Sequence, residues 1–95
     1  MNTRLDLKKI EKISKALGDP FRLKVMDMIK KQKAPCQCTS IVENLDLAQS
    51  TVSHHIKQLV DADLLIAEKD GRNANYQINQ EVLDAYIKFL NQYKS

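Results

Sequence analysis

Tryptophan is absent from this 95-residue chain, and phenylalanine and tyrosine together supply only 5% of its residues. Such a composition argues against a platform on which the bases of single-stranded nucleic acid stack. Glycine is equally scarce, because Gly18 and Gly71 are the only two. A glycine-rich loop that cradles a phosphate or an oxyanion is therefore excluded, and we predict that the chain is not an enzyme.

Long hydrophobic runs are also missing. No apolar stretch approaches 18 residues and no charged-then-apolar segment begins the chain, so we expect a cytoplasmic protein without a membrane span. Hydrophobic content of 43% and charged content of 28% are ordinary for a globular chain, and the length suits one domain spanning residues 1–95. A net charge of +3 permits nucleic-acid binding but does not require it.

The most informative stretch runs from Leu47 to Ala62 and is predicted to be an exposed helix with two unlike faces, here called the reading helix. At 100° per residue, Val52, Ile56 and Leu59 fall in one narrow sector that is typical of a core face. Serine and threonine lower helix propensity, so their concentration in the first turns indicates a use other than solvation. The opposite face carries short polar or weakly basic side chains, namely Ser50, His54, Lys57 and Asp61. Such groups can hydrogen-bond to base edges in a major groove that is wide enough to admit a helix.

The residues before this helix predict three further helices. An amphipathic helix at about 5–17 is followed by a second helix with Asp19 at its N-cap and Pro20 at its first position. A third, short helix begins at the capping-box sequence Ser40-Ile41-Val42-Glu43. Because only about three residues separate it from the reading helix, the spacing predicts a helix-turn-helix motif at about 40–62.

After the reading helix, the pattern predicts a β-hairpin and a last helix. The strands Leu64–Lys69 and Asn75–Ile78 are joined by an Asp70-Gly71 turn and form a wing at about 64–78. Asn79 is a plausible N-cap for the last helix, at about 80–93, whose apolar residues extend around more than one face. That helix either packs on two sides within its own domain or, as we favour, forms a dimer interface with the first helix. The predicted fold is mainly α with a small β-hairpin wing: five helices, with the hairpin between the fourth and the fifth.

Three stretches together resemble the ArsR/SmtB family of small winged helix-turn-helix repressors over almost the whole chain: Ala16–Leu23, Gln49–Leu59 and Lys69–Arg72. The resemblance implies a homodimer that binds an inverted-repeat operator and releases it when an inducer binds. Two reading helices related by a two-fold axis would enter major grooves about 34 Å apart. Pairing through the first and last helices implicates apolar residues of both, namely Leu5, Ile10, Ile13, Leu83, Tyr86, Ile87 and Leu90. One departure is Asp63, which stands where the family usually has glycine, and aspartate tolerates the left-handed conformation better than most residues.

The predicted DNA contacts come from the reading helix and the wing. Four side chains are expected at base edges: Ser50, Thr51, His54 and Lys57. Gln49 and Ser53 are expected to help set the register, and Lys69 and Arg72 to hold the DNA backbone from the wing. His55 lies between the two faces and is expected to form a structural hydrogen bond. An alternative function is a protein-interaction module, which predicts no DNA retardation even at low salt.

Cys36 and Cys38 are the candidate sensing residues. In thiol-sensing members of the family a Cys-x-Cys pair at the start of the third helix captures soft metal or metalloid ions, which thiolates suit. Here the pair lies one residue nearer the N-terminus, in the predicted loop before that helix, and two thiolates are too few for a closed tetrahedral zinc site. Two alternatives stay open: sensing of a metalloid, soft metal or oxidant at these thiols, or a ligand-independent repressor whose cysteines are small apolar residues. The last helix has no histidine, so the family's zinc, nickel or cobalt site there is not expected.

Overall fold

Four helices and three short strands make up the part of the chain that the computed structural model describes, which comprises residues 5–32, 36–37, 41, 45–71 and 73–95. In chain order they are α1 (Leu7–Ala16), α2 (Pro20–Lys31), β1 (Cys36–Gln37), α3 (Gln49–Asp61), β2 (Leu65–Asp70), β3 (Asn73–Ile78) and α4 (Gln80–Asn91). Helices and a small antiparallel hairpin confirm the predicted mainly α winged architecture. None of the described helices is long and apolar enough to cross a membrane.

The helix starts follow from local capping chemistry. The Asp19 carboxylate accepts hydrogen bonds from the backbone N–H groups at the start of α2, including that of Phe21 at 2.8 Å, and Pro20 occupies the first turn. The Asn79 side chain accepts from the N–H of Val82 at 3.3 Å and caps α4. Both predicted N-caps are confirmed, because each supplies an acceptor to amides that have no partner within their own helix.

The core lies where the inner faces of the helices meet the sheet. Its most deeply buried side chains are Ile13, Val25, Ile41, Val52, Leu59 and Leu64. Tyr86 of α4 packs at the edge of this core, and its hydroxyl lies 2.8 Å from the Ser14 hydroxyl of α1. This hydrogen bond satisfies the polar end of an otherwise apolar contact between the first and last helices.

The sheet has three strands in the order β1-β3-β2, not the two predicted. In β1, Cys36 pairs with Tyr76 and Gln37 with Asn75, both antiparallel to β3. The prediction that Cys36 lies in a loop is therefore wrong. Its partner strand is about forty residues away in sequence, so no local pattern indicated the pairing.

The predicted third helix falls mostly outside the described residues, as do Ser40, Val42 and Glu43 of its capping box. Ile41 is helical and fully buried, and its carbonyl accepts from the Leu45 N–H at 3.0 Å. The described part of the chain therefore contains four of the five predicted helices. Of the predicted third helix it contains only the helical residue Ile41.

Candidate nucleic-acid interface

The reading helix is α3, and its two faces differ as predicted. Val52 and Leu59 have no exposed surface and Ile56 is 2% exposed, so this face is held in the core. The predicted contact residues on the other side are all exposed: Gln49, Ser50, Thr51, Ser53, His54 and Lys57. Burial of one face fixes the rotation of the helix about its axis. The polar side chains therefore form a continuous outward surface rather than a set of scattered groups.

No side chain among the described residues caps the N-terminal end of α3. Ala48 occupies the N-cap and offers no side-chain acceptor to the first amides. Those amides carry the positive end of the helix dipole and normally bind water or an anionic oxygen. Leu45 is buried and Leu47 is half-buried, so the turn before α3 is anchored in the core.

The C-terminal end of α3 closes in a Schellman motif centred on Asp63. Asp63 has a φ of 62°, which is the left-handed conformation expected for the residue at this position. The Leu64 N–H donates to the Leu59 carbonyl at 3.0 Å, and the Asp63 N–H to the Val60 carbonyl at 2.9 Å. The Asp63 carboxylate also forms an ion pair with Lys9 of α1. This pair links the first helix to the end of the reading helix, and no sequence pattern indicated it.

Two opposite charges on the outward surface of α3 pair with each other. Lys57 Nζ donates to Asp61 Oδ2 at 3.0 Å, with side-chain exposures of 71% and 39% respectively. Sequence reasoning placed both residues on the polar face without pairing them, although their i,i+4 spacing is the signal for such a contact. Because they are the only lysine and the only acid in α3, the helix carries no net charge while His54 and His55 are neutral.

The two histidines of α3 lie in different environments. His54 is exposed on the outward surface, whereas His55 is half-buried with its ring stacked on Phe21 of α2 at a centroid distance of 6.0 Å. His55 Nδ1 is buried and has no hydrogen-bond partner among the described residues, so the predicted structural hydrogen bond is not found at this nitrogen. Lys24 Nζ lies 5.3 Å from the centre of the Phe21 ring. His55 thus joins α3 to α2 by ring packing.

Asp19 lies beside this cluster and carries a shifted pKa. Desolvation raises the pKa of the carboxyl, but the backbone hydrogen bonds from Phe21 and Arg22 lower it, and the nearby charges of His55 and Arg22 lower it further. The net pKa lies below the usual value for aspartate. The carboxylate therefore stays ionised as the α2 cap over the physiological pH range.

The wing projects from the sheet as β2 and β3. Lys69 is exposed and pairs in register with Ala74, one step from the end of the hairpin. Gly71 at the tip has a φ of 64°, a conformation that glycine adopts without steric cost and that its place in the predicted turn requires. Arg72, the second predicted wing contact, lies outside the described residues.

The thiol site is described only through the backbone of Cys36. Cys38 lies outside the described residues, and no cluster of three or more histidine, cysteine or acidic side chains able to hold a metal occurs among the residues that are described. Thiolates are ligands that suit soft ions, so sensing at Cys36 and Cys38 stays a prediction.

The predicted dimer surface divides into two groups. Ile10, Ile13 and Tyr86 are buried in the core of the chain itself, which already accounts for their apolar side chains. The remaining residues of the set keep accessible surface: Leu5 and Leu83 are half-buried, and Ile87 and Leu90 are 48% and 44% exposed. Leu7 of α1 is 76% exposed and was not among the predicted dimer residues. Tyr93 is 72% exposed and belongs to the apolar set predicted for the last helix, although it lies just beyond the end of α4.

Comparison with known proteins adds to this geometry. Residues 19–67 match the family described as "Bacterial regulatory protein, arsR family". An arsenical resistance operon repressor of Staphylococcus aureus is 37% identical over 87 residues, which cover 92% of this chain and 82% of that protein. The crystal structure of an ArsR family transcriptional regulator superposes with a TM-score of 0.82 at 23% identity, covering 95% of this chain and 91% of the other. A homodimeric winged helix-turn-helix DNA-binding domain from Mycobacterium bovis, solved by NMR, gives 0.73 at 20% identity, covering 95% and 87%.

Proposed function

This chain belongs to the arsR family of bacterial regulatory proteins and is a DNA-binding transcriptional regulator; from that premise we propose that it is a homodimeric, cytoplasmic repressor of an inverted-repeat operator. The observation that carries the proposal is the outward surface of α3. Its polar groups are exposed while the opposite face is buried to 2% exposure or less at Val52, Ile56 and Leu59. A helix fixed in this way can enter a major groove with its donors and acceptors directed at base edges.

Each part of the surface has a separate role in this proposal. Ser50, Thr51, His54 and Lys57 read base edges, while Gln49 and Ser53 set the register. Lys69 and Arg72 of the wing bind phosphates, which adds affinity without sequence information. The uncapped amides at the start of α3 supply a further anchor for a phosphate oxygen.

Dimerisation supplies a second copy of α3, which can bind a second half-site in the DNA. Apolar surface that the described residues leave uncovered lies at Leu7 of α1, at Ile87 and Leu90 of α4, and at Tyr93 just beyond α4. A two-fold pairing of these helices buries that surface and presents two copies of α3 to one face of the DNA. The operator of such a dimer is an inverted repeat with half-sites one helical turn apart, about 34 Å.

The test is selection of duplexes from a random library by the purified chain, followed by fluorescence anisotropy on the enriched sequence and on a scrambled duplex. We expect an inverted repeat to be enriched. Lys57→Ala should cost about 1–3 kcal/mol on the enriched duplex and relax the preference at one base position. The matched control is Lys15→Ala, which removes an exposed lysine of α1 that also has an acid four residues away.

Two outcomes would contradict the assignment of α3. No retardation of any duplex at low salt would favour the protein-interaction module, and equal losses for Lys57→Ala and Lys15→Ala would mean that only total charge matters. The wing is tested separately by Lys69→Ala, which should weaken binding to all sequences alike and reduce the salt slope by about one.

Derepression through the thiols is the second part of the proposal. Two observations favour it: the relative from Staphylococcus aureus is named for arsenical resistance, and β1 pairs Cys36 with Tyr76 of the wing strand β3. A thiolate that binds a soft ion, or becomes oxidised, displaces the β1 backbone, and the displacement passes through β3 to the wing. The inducer then removes phosphate contacts while leaving α3 in place.

Titration of arsenite, antimonite, cadmium or an oxidant into the reduced protein on its enriched duplex tests this coupling. Release by one of them should be abolished by Cys36→Ser with Cys38→Ser. Action through the wing should reduce the salt slope and preserve the preference for the enriched over the scrambled duplex. Binding that none of these compounds perturbs would leave a ligand-independent repressor, and loss of the sequence preference would place the coupling in α3 instead.

A further inference from the structure

We propose that Asp61 is a positioning residue that sets the sequence selectivity of α3 by orienting the Lys57 ammonium towards the groove floor and away from the phosphates. The inference rests on the proposed role of Lys57 as a DNA contact. Its observation is the ion pair between Lys57 Nζ and Asp61 Oδ2 at 3.0 Å, on the outward surface of α3.

Helix stability does not account for Asp61. The residue lies in the last turn of α3, at the negative end of the helix dipole, where an acid is disfavoured. The order of the pair, lysine first and acid four residues later, is the less stabilising orientation. Three i,i+4 ion pairs occur among the described residues, and the other two, in α1 and α2, place the acid first. Asp61 therefore contributes little to the stability of α3, and its main effect is on the position of the Lys57 side chain.

The geometry allows Lys57 to stay paired while it contacts DNA. An ammonium group has three N–H donors, of which Asp61 takes one. The Lys57 side chain is 71% exposed, so the remaining donors are open to an acceptor such as guanine O6 or N7. On a matching sequence the pair is kept and the lysine is already ordered. On other sequences the paired ammonium is directed away from the phosphates, so Lys57 must leave Asp61 before it can bind one.

The expected effect of breaking the pair is therefore different on the two kinds of DNA. Asp61→Asn keeps the size of the side chain and removes its charge, so Lys57 becomes free to swing to the DNA backbone. Affinity for scrambled DNA should rise about twofold, the magnitude set by an exposed i,i+4 ion pair. The salt slope on scrambled DNA should rise by about one, since one more phosphate is neutralised. Affinity for the enriched duplex should stay unchanged or fall, so the specificity ratio declines.

The experiment measures anisotropy of the full chain on the enriched and scrambled duplexes across a salt series. Glu11→Gln is the matched control, because it removes one negative charge from an exposed i,i+4 pair on α1. Asp61→Asn is also made with Lys57→Met, in which background it should have no effect beyond that of the control. Thermal unfolding of each variant shows that the fold is kept.

Three results would overturn the inference. A gain on scrambled DNA that persists with Lys57→Met, or that Glu11→Gln reproduces, would mean a general charge effect. A loss confined to the enriched duplex, with scrambled DNA unaffected, would make Asp61 itself a base reader that accepts from cytosine N4. Unchanged binding on both duplexes would mean that the pair has no role. Failure of the unaltered chain to bind any duplex would instead refute the proposed function on which the inference depends.

Discussion

Replacing Asp63 with glycine should stabilise the fold, although it removes a side chain that forms an ion pair. Asp63 has a φ of 62°, in the left-handed region where an L side chain crowds the neighbouring backbone. The left-handed conformation costs about 1–2 kcal/mol for L residues, and aspartate lies at the low end of that range because it visits this region more readily than most. Glycine pays no such penalty, so the backbone contribution to the free energy of unfolding should rise by about 1 kcal/mol.

The ion pair with Lys9 opposes this gain. The side chains of Lys9 and Asp63 are 27% and 56% exposed, so solvent screens much of their attraction. A pair of this exposure contributes about 0.5 kcal/mol, which leaves a net gain of roughly 0.5 kcal/mol for Asp63→Gly. For a domain of this size the melting temperature should rise by about 2–4 °C. In concentrated salt the pair is screened in the unaltered chain, so the advantage of glycine should grow.

Thermal unfolding followed by circular dichroism, at one fixed protein concentration, measures these differences. Asp63→Ala is the matched control: it also loses the ion pair but keeps a Cβ in the left-handed conformation, and it should be less stable than the unaltered chain. Lys9→Met removes the pair without changing the backbone at Asp63 and so isolates the electrostatic contribution. Equal melting temperatures for Asp63→Ala and Asp63→Gly would refute the assignment of strain to this residue.

Three further predictions concern α2, the core and α4. The folded-state pKa of Asp19 lies below its unfolded value, so its carboxylate stabilises the fold above the unfolded pKa and this contribution is lost as pH falls through the folded pKa. In urea unfolding, Asp19→Asn should therefore be less stable than the unaltered chain near neutral pH. As the pH falls below about 4, the variant should lose less stability than the unaltered chain does. Tyr86→Phe removes a 2.8 Å hydrogen bond between α4 and α1 and should lower the free energy of unfolding by about 1 kcal/mol; unchanged stability would show that the bond contributes nothing. Ile87→Glu with Leu90→Glu should convert the proposed dimer to monomers in light scattering, whereas Leu23→Glu, at an equally exposed position of α2, should leave it intact.

Much of the fold could be predicted because its determinants are local. Asp19 and Asn79 cap the helices that begin next to them, and the spacing of Val52, Ile56 and Leu59 fixes the buried face of α3 from within thirteen residues. A capping side chain or an apolar stripe acts on residues within one or two turns. Such signals are complete in the sequence, so these two caps and the buried face of α3 were predicted correctly.

Features that depend on distant residues were not predictable in the same way. The strand β1 has only two residues, neither of them β-branched or aromatic, and it forms because β3 offers an edge about forty residues later. The ion pair of Lys9 with Asp63 spans 54 positions. His55 was expected to form a hydrogen bond, but the structure packs its ring on Phe21 of α2 and leaves its Nδ1 without a partner among the described residues. Each depends on tertiary placement that periodicity does not encode.

The charge distribution of α3 separates affinity from selectivity. Because Lys57 and Asp61 cancel, the proposed reading helix α3 contributes no net side-chain charge, while the chain as a whole carries a net charge of +3. Sequence-independent affinity and the salt slope arise largely from cationic groups that neutralise phosphates, so in the proposed complex these cations lie mainly outside α3, as Lys69 of the wing does. Changes in the wing should therefore shift affinity for all sequences together, whereas changes in the outward surface of α3 should alter which sequence is preferred. The proposed release through the wing would therefore lower affinity for all sequences and leave the preference for the operator intact.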